Sequence, residues 1–169
     1  MYTVTNETNA QQSLFVKMVM MAWQTENARV DELLANLTDQ QLLQETKSGR
    51  NTGIYLLGHL AAINDNLFKL LGIGPRLHPE LDEPFLNSPD KSGLPMPSID
   101  ELKKYWNEIN RTLTDRFSQL QPAEWFMRHT SISEEDFAKE PHRNRLNVLL
   151  TRTTHQSYHR GQLMYLKNK

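Results

Sequence analysis

The sequence predicts an all-α protein, a four-helix bundle with a long Pro-rich crossover between its second and third helices. Three observations predict it. Four stretches repeat apolar residues at three- to four-residue spacing, the period of an amphipathic α-helix. No stretch alternates apolar and polar residues over a useful length, so no strand is expected. Six of the eight prolines fall between residues 72 and 97, which excludes regular helix there.

The first predicted helix runs from about Asn9 to Leu37 and contains neither Gly nor Pro. Thr38 then begins the sequence TDQQ, a capping-box pattern in which Gln41 bonds back to the Thr38 amide. A short helical turn is therefore expected before the polar loop that follows. The apolar stripe of the first helix consists of Phe15, Val19, Ala22, Val30, Leu33 and Leu37.

The second predicted helix runs from about Thr52 to Leu71. Asn51 or Thr52 can cap its start, and Gly72 stands where a left-handed C-terminal residue belongs. The Pro-rich segment 72–97 that follows is typical of a bundle crossover or of a loop that overhangs a site.

The third predicted helix opens at Ser98 with a second capping box, SIDE, and ends before Pro122. The fourth runs from about Asn144 to Leu166. Between them, residues 123–143 are polar and irregular, and two aromatic residues of this segment, Trp125 and Phe126, are expected to point inward. The third helix has the clearest apolar stripe, which consists of Leu102, Trp106, Ile109, Leu113, Phe117 and Leu120.

Length and composition indicate one globular domain over residues 1–169, because 38% of the residues are apolar and 23% are charged. A net charge of -1 gives no reason to expect nucleic acid as a partner. No apolar run approaches the ~18 residues that a membrane span needs, so no membrane association is expected. The N-terminus lacks the pattern of a signal peptide, which makes the cytoplasm the expected location. The absence of cysteine excludes disulfides and thiolate ligands.

His155 and His159 lie four residues apart in the fourth helix, so their imidazoles share one face and can reach a common ion. That face is apolar at its ends and therefore points inward. Two imidazoles in a buried stripe need polar partners, and a shared metal ion would satisfy both ring nitrogens. The stripe reads Val148, Arg152, His155, His159, Gln162 or Leu163, and Leu166.

His59 repeats this pattern in the second helix, where the small residues Gly58, Ala61 and Ala62 leave room for a neighbouring helix or an ion. Three inward histidines match the ligand count of an open zinc-type site. An ordinary pair of core or surface histidines is the alternative, and periodicity alone leaves both open. The stripe around His59 consists of Leu56, His59, Ala62 or Ile63, Asn66 and Leu70.

The remaining histidines, His78, His129 and His142, fall in polar connections and are expected to be solvated. In the segment HQSYH, Gln156 replaces the general base of a zinc-protease helix, so peptide hydrolysis of that type is not expected. Neither a Gly-rich phosphate loop nor a Ser-centred nucleophile elbow is present in the sequence.

The segments NTGIYLLGHLAAINDNLF and THQSYHRGQLMYL, with the turn LLANLTDQQL before them, resemble the DinB-like metal-binding four-helix bundles. The resemblance covers nearly the whole chain in the family's order. It implies that His59, His155 and His159 are three ligands of one divalent metal ion. Gly161 and Gln162 match the family's GQ.

The resemblance also implies a function, because characterised relatives are similar to transferases and isomerases that activate a small thiol on the metal. A metal-dependent transferase that activates a small thiol or water is therefore expected, acting on a small-molecule substrate. Since the chain has no cysteine, the thiol would be a bound cofactor. A non-catalytic metal-binding or small-ligand-binding stress protein and a metal-dependent hydrolase stay open as alternatives. The metal could be zinc, nickel or iron, and the family implies a homodimer.

Four residues near the histidines are candidates for substrate contacts: Asn66, Tyr158, Arg160 and Gln162. Packing is nevertheless the preferred explanation for Tyr158, and a solvated helix face is the preferred explanation for Arg160. No catalytic side chain is assigned. Gly161 is expected to permit close contact with a neighbouring helix, at a cost of up to ~1 kcal/mol in helix propensity.

Overall fold

The computed structural model describes the backbone of residues 2–168 and the side chains of residue 7 and residues 9–168. This part of the chain is α-helical and has no β-strand, which confirms the predicted all-α class. None of its helices combines the length and the apolar character needed to cross a lipid bilayer. The helices are α1 (Tyr2–Ala35), α2 (Asp39–Leu42), α3 (Gly53–Leu70), α4 (Ile99–Gln119), α5 (Glu134–Lys139) and α6 (Arg145–Leu163).

The four long helices enclose one apolar core. Helix α1 packs against α6, and α3 packs against both α4 and α6. A hydrogen bond of 2.7 Å from Trp106 Nε1 to Asp31 Oδ1 connects α4 with α1. The predicted stripe of α4 is buried up to Phe117, and Trp125 is buried as expected. The largest fully buried side chains are Trp23, Trp106, Trp125, Phe68 and Phe85.

The predicted starts of α2, α3, α4 and α6 are confirmed by their capping bonds, whereas α1 begins at Tyr2 and α6 already ends at Leu163. The amide of Thr38 donates to Gln41 Oε1 at 2.9 Å, and the amide of Ser98 donates to Glu101 Oε2 at 2.8 Å. Such caps each stabilise a helix by ~1 kcal/mol. Gly72 follows α3 with a φ of 65°, in the left-handed region. Thr52 and Asn144 cap α3 and α6 through side-chain oxygens.

The apolar stripe of α1 is buried only in its second half. Val30 and Leu33 lie in the core, whereas Phe15 is 58% exposed and Ala22 is also exposed, so the prediction that these two face the core was wrong. Length explains the difference. The 34 residues of α1 span about 51 Å at 1.5 Å per residue, far more than the 19 residues of its partner α6. The first half of α1 therefore extends beyond the core.

A layer of amide side chains crosses the core and joins the four long helices. Asn64 of α3 donates to Asn110 Oδ1 of α4 at 2.9 Å and to Gln156 Oε1 of α6 at 3.2 Å. Gln156 donates in turn to Asn27 Oδ1 of α1 at 2.7 Å. Each long helix contributes one amide to this layer. Because buried amides require their partners, the layer fixes the register of the helices relative to one another.

The Pro-rich connection, residues 72–97, packs against α3. It contains a 3₁₀ turn at Pro79–Leu81 and a π-helical turn at Glu83–Asn87. The fully buried carboxylate of Asp65 in α3 accepts a hydrogen bond of 2.9 Å from Arg76 Nε and two more from backbone N–H groups of the connection. The connection is thereby held against the helix that carries His59.

Candidate metal centre

Three imidazoles meet where α3 lies against α6. His59 comes from α3, and His155 and His159 come from successive turns of α6. His155 Nε2 lies 3.4 Å from His59 Nε2 and 3.1 Å from His159 Nε2. All three side chains are half-buried, and their nearest ring nitrogens lie within 4.8 Å of one another. The structure therefore brings together the three histidines that the sequence singled out, as a cluster that could hold a metal ion.

Hydrogen bonds at the outer nitrogens determine which ring nitrogens carry protons. His59 Nδ1 lies 2.9 Å from the carbonyl oxygen of Phe85, and His159 Nδ1 lies 2.7 Å from Gln162 Oε1. Both oxygens can only accept, so each Nδ1 is the donor. The Nε2 atoms of these neutral imidazoles consequently present lone pairs toward His155.

A divalent cation fits this arrangement. The lone pairs of His59 Nε2 and His159 Nε2 both point toward His155 Nε2, and these nitrogens repel one another unless a proton or a cation lies between them. A single proton on His155 Nε2 cannot fully satisfy both neighbouring nitrogens. Zinc–nitrogen bonds of about 2.0–2.1 Å in tetrahedral geometry place ligand nitrogens about 3.3 Å apart, and the measured separations are 3.1 and 3.4 Å. His155 Nδ1 is buried without a hydrogen-bond partner among the described residues. The donor set also leaves a coordination position for an exogenous ligand.

Burial keeps the imidazoles neutral, which is the form that binds metal. It lowers the pKa of His155 to about 4, with help from the positive charges of His159, His59 and Arg152. Burial also lowers the pKa of His59, partly offset by the bond to the Phe85 carbonyl. The pKa of His159 is lowered by burial as well, and its bond to Gln162 opposes the shift.

The residue before His59 is glycine because of a close neighbour. A Cβ on Gly58 would lie 2.3 Å from the ring of Phe85, so the space that the sequence indicated is filled by this ring. Tyr55, one turn earlier in α3, lies beside both residues: its ring centroid is 5.8 Å from that of Phe85 and 6.3 Å from that of His59. Nothing in the local sequence indicates that Phe85 supports the histidine; Pro84 and Leu86 are equally apolar neighbours.

Two of the predicted substrate-contact residues contact His159, and a third lies two turns after His59 along α3. Gln162 is bonded to His159 as described, and it also donates to the hydroxyl of Tyr158 at 3.3 Å. Tyr158 is 63% exposed, so packing does not explain it, and its ring meets His159 edge-on at 5.1 Å. Asn66 is half-buried on the His59 face of α3, and its side chain has no hydrogen bond within the described part of the chain.

Two expectations for the end of α6 were wrong. Arg160 is directed at α1, where its Nε donates at 2.5 Å to Glu26, a residue only 4% exposed. This buried ion pair places Arg160 neither on a solvated face nor at the histidines. Gly161 is exposed, and a Cβ there would meet nothing within 4 Å, so it mediates no close helix contact.

The loop histidines differ from one another. His142 is exposed as expected. His78, by contrast, is stacked on Tyr105 with ring centroids 3.8 Å apart and is bonded to Glu80 and Glu108, so the expectation of a solvated side chain was wrong. His129 is half-buried, and burial together with a nearby arginine lowers its pKa. None of these three joins the cluster.

Gln156 lies beside His155 in the sequence but points elsewhere. Its side chain is 1% exposed and belongs to the amide layer of the core. The position that holds the general base of a zinc protease therefore faces away from the three histidines here.

The comparisons with known proteins agree with this geometry. The family model described as the DinB superfamily matches residues 22–163, a range that includes all three histidines. A comparison with curated protein sequences found no match.

Proposed function

We propose that this chain, which belongs to the DinB superfamily, is a divalent-metal-binding protein that transfers a small thiol to an electrophile. The observation that carries the proposal is the convergence of the Nε2 atoms of His59, His155 and His159. A metal ion held there would act as a Lewis acid and lower the pKa of a thiol or water in the open position. Zinc, nickel and iron all suit three imidazole ligands.

The protein's own residues orient the ligands and shape the place where substrate binds. Phe85 and Gln162 hold the outer nitrogens of two histidines, which directs their lone pairs inward. We assign Tyr158, Asn66 and Gln162 to substrate contact, since Tyr158 and Gln162 contact His159 and Asn66 is half-buried on the same face of α3 as His59. Arg160 has no part in this assignment because Glu26 binds it.

The donor set favours a thiol over water as the nucleophile. The cluster consists of three imidazoles, and no carboxylate among the described residues joins it as a general base. A free thiol has a pKa near ~8.5, whereas bulk water has one near ~15.7, so the thiol needs far less activation. Because the chain has no cysteine, that thiol must come from solution.

Metal analysis followed by a turnover assay tests this proposal. The purified protein should contain about one divalent ion per chain, and His155→Ala should lose it, while the exposed-histidine control His142→Ala should keep it. Conjugation of a small thiol to a chromogenic aryl halide should require the metal. Bound metal without any turnover would favour a non-catalytic binding protein, and ester hydrolysis without thiol would favour a hydrolase. Retention of stoichiometric metal by both His59→Ala and His155→Ala would sink the assignment of the site.

We also propose that the chain is a single DinB-like four-helix bundle over residues 1–169, with residues 72–97 as its crossover. The amide layer supports this architecture, because it takes one side chain from each long helix. Hydrogen exchange would test it, since one domain should show a common most-protected set of amides in all four helices.

We propose in addition that the protein is a homodimer located in the cytoplasm. The exposed half of α1 presents apolar side chains that a second copy could cover. Light scattering after gel filtration measures the mass, and Met18→Lys should shift a dimer toward monomer. Cell fractionation tests the location. The apolar residues concerned are Leu14, Phe15, Met18 and Met21, each between 56% and 58% exposed.

A further inference from the structure

A half-open groove runs along α3 and α6 away from the three histidines. Most residues of α3 are buried, but four residues that follow one another at steps of four, three and four positions are only half-buried. Five residues of α6, at steps of four, three, four and three positions, are half-buried as well. Such spacing places each set on one helix face. The two sets are His59, Ile63, Asn66 and Leu70 on α3, and Val148, Arg152, His155, His159 and Gln162 on α6.

The far end of this groove opens into a cleft of about 280 Å³. Leu70 and Val148 meet there, whereas His59 meets His155 at the other end, so the two helices run antiparallel along the groove. Val148 is seven residues from His155, which is about 10 Å along a helix. No carboxylate lines the cleft. Its lining consists of Leu70, His129, Arg143, Asn147, Val148, Thr151 and Arg152.

Arg152 is the unusual member of this lining. It is half-buried, yet it forms no hydrogen bond or ion pair with any residue that the structure describes. Burial lowers its pKa, and no carboxylate opposes that effect. Its charge lies close enough to the cluster to lower the pKa of His59 and of His155. Two other half-buried arginines are paired: Arg143 with Glu140 at 2.9 Å and Arg160 with Glu26 at 2.5 Å.

A half-buried guanidinium without an anion is costly, because burial weakens the hydration of its charge and no ion pair compensates. The neighbouring cleft supplies a place for the missing anion, and the side-chain amide of Asn147 in its lining can donate a further hydrogen bond. Leu70 and Val148 add apolar surface beside it. The surroundings thus match a ligand with an anionic group on an apolar chain.

We propose that Arg152 binds the anionic group of an elongated small-molecule substrate whose reactive end lies at the three histidines. The anion is an oxyanion, a carboxylate or a phosphate monoester, which pairs with the planar guanidinium through two hydrogen bonds. This inference rests on the proposed function and specifies its substrate class: an anionic thiol or an anionic electrophile.

Binding of six-carbon probes to the zinc-loaded protein tests the anion site. Calorimetric titration compares hexanoate and hexyl phosphate with uncharged 1-hexanol. At least one anion should bind about tenfold or more tightly than the alcohol, as expected for charge-assisted hydrogen bonds, and the preferred anion identifies the group. Arg152→Gln should abolish the preference. Arg111→Gln, which removes an exposed arginine of α4, should retain it. Equal binding of all three probes, or a preference that survives in Arg152→Gln, would overturn the proposal.

A second pair of probes separates this inference from the proposed function. On the cobalt-loaded protein, 6-mercaptohexanoate and 6-mercaptohexan-1-ol should both produce a thiolate-to-cobalt absorption band, with the acid at lower concentration. If neither thiol produces the band while hexanoate still prefers wild type over Arg152→Gln, the thiol-transferase proposal fails and the anion site stands. If both thiols produce the band at equal concentrations and neither anion binds more tightly than the alcohol, the anion-site proposal fails and the thiol-transferase proposal stands.

Thermal melting tests whether Arg152 has a purely structural role instead. Since its guanidinium has no partner to lose, Arg152→Gln should melt at the same temperature as wild type or higher. Arg160→Gln, which leaves Glu26 buried without its partner, should melt lower. A loss in Arg152→Gln as large as the loss in Arg160→Gln would mean that Arg152 holds the fold together, and would overturn the proposal.

Discussion

Phe85 packs its ring onto the backbone of Gly58, and its carbonyl oxygen accepts a hydrogen bond from the histidine that follows, His59. One residue of the Pro-rich connection thus provides both the packing contact and the acceptor. The orientation of a candidate metal ligand on α3 therefore depends on a segment 26 residues further along the chain.

Gly58→Ala should disturb this contact, because the new Cβ would lie 2.3 Å from the Phe85 ring. The ring has to move, and its carbonyl moves with it, which loosens His59. We expect a loss of about 1–3 kcal/mol in the free energy of unfolding from overpacking and a tenfold to hundredfold weaker metal affinity, the usual effect of losing a supporting hydrogen bond. Urea titration and chelator competition measure the two.

Gly161→Ala is the matched control, since Gly161 also lies in a helix but has nothing within 4 Å of an added Cβ. It should leave metal affinity unchanged and raise the free energy of unfolding by up to ~1 kcal/mol through helix propensity. Equal effects of the two alanines would contradict the proposed role of the Phe85 contact.

Gln162→Met should weaken metal binding without removing a ligand. His159 would lose the acceptor of its Nδ1 proton, so the proton could move to Nε2 and block the lone pair. A tenfold to hundredfold lower metal affinity is expected, with helical content unchanged by circular dichroism. Tyr158→Phe, which removes only a long hydrogen bond to the same glutamine, should change the affinity far less. Similar losses in both variants would argue against a tautomer effect.

The pH dependence follows from the lowered pKa values. In the metal-free protein the folded imidazoles bind protons less readily than unfolded ones, whose pKa is ~6.5, and the pKa of His155 is about 4. Between these values the unfolded chain binds more protons. The free energy of unfolding should therefore fall as the pH drops from about 6.5 toward 4, and these groups should contribute no slope above that window.

Metal binding should accordingly persist below the pH at which a free imidazole becomes protonated. Chelator competition across this range measures the affinity at each pH. A midpoint for metal loss at or above ~6.5, the ordinary histidine value, would contradict the protective effect of burial on His155.

Gln156→Glu should destabilise the fold without creating a zinc-protease site. The new carboxylate would be buried in the amide layer, where Asn27 and Asn64 now hold the glutamine. We expect a loss of about 1–3 kcal/mol, typical of an unsatisfied buried group. Gln24→Glu, at an exposed position of α1, should cost little. Metal-dependent peptidase activity in Gln156→Glu would show that this side chain reaches the histidines after all.

Chelation should leave the helices folded. The core beneath α6 contains Leu146, Leu149, Leu163 and Leu166, all buried without any need for an ion. The metal-free protein should therefore keep its helical circular dichroism and melt at a lower temperature, unlike a zinc finger, which unfolds outright. Complete loss of the helical signal at neutral pH would indicate a structural metal and weaken the case for catalysis.

Local patterns were sufficient to predict the helices and the shared face of His155 and His159. The caps at Thr38 and Ser98 and the left-handed Gly72 are determined by a few neighbouring residues, so the sequence reveals them. His155 and His159 share a face by their spacing alone. The partnership of these two with His59 was not decided by periodicity, and required the resemblance to the family.

Long-range contacts account for what the sequence did not reveal. His78 looks like an ordinary loop residue until the fold brings Tyr105 beneath its ring. Arg160 binds a glutamate 134 residues away. Arg152 was visible on the histidine stripe, but only the structure shows that it lacks a partner. Likewise, the apolar pattern of α1 does not reveal that the helix extends beyond its neighbours.

The amide layer has a consequence for the lengths of the helices. On α6 the residue of this layer, Gln156, directly follows His155, while on α3 Asn64 lies five positions after His59. One inserted residue between His59 and Asn64 would rotate the His59 side chain relative to the Asn64 side chain by about 100° around the helix axis. Either the amide or the imidazole would then leave its partners. Insertions and deletions in this stretch should be excluded among functional variants.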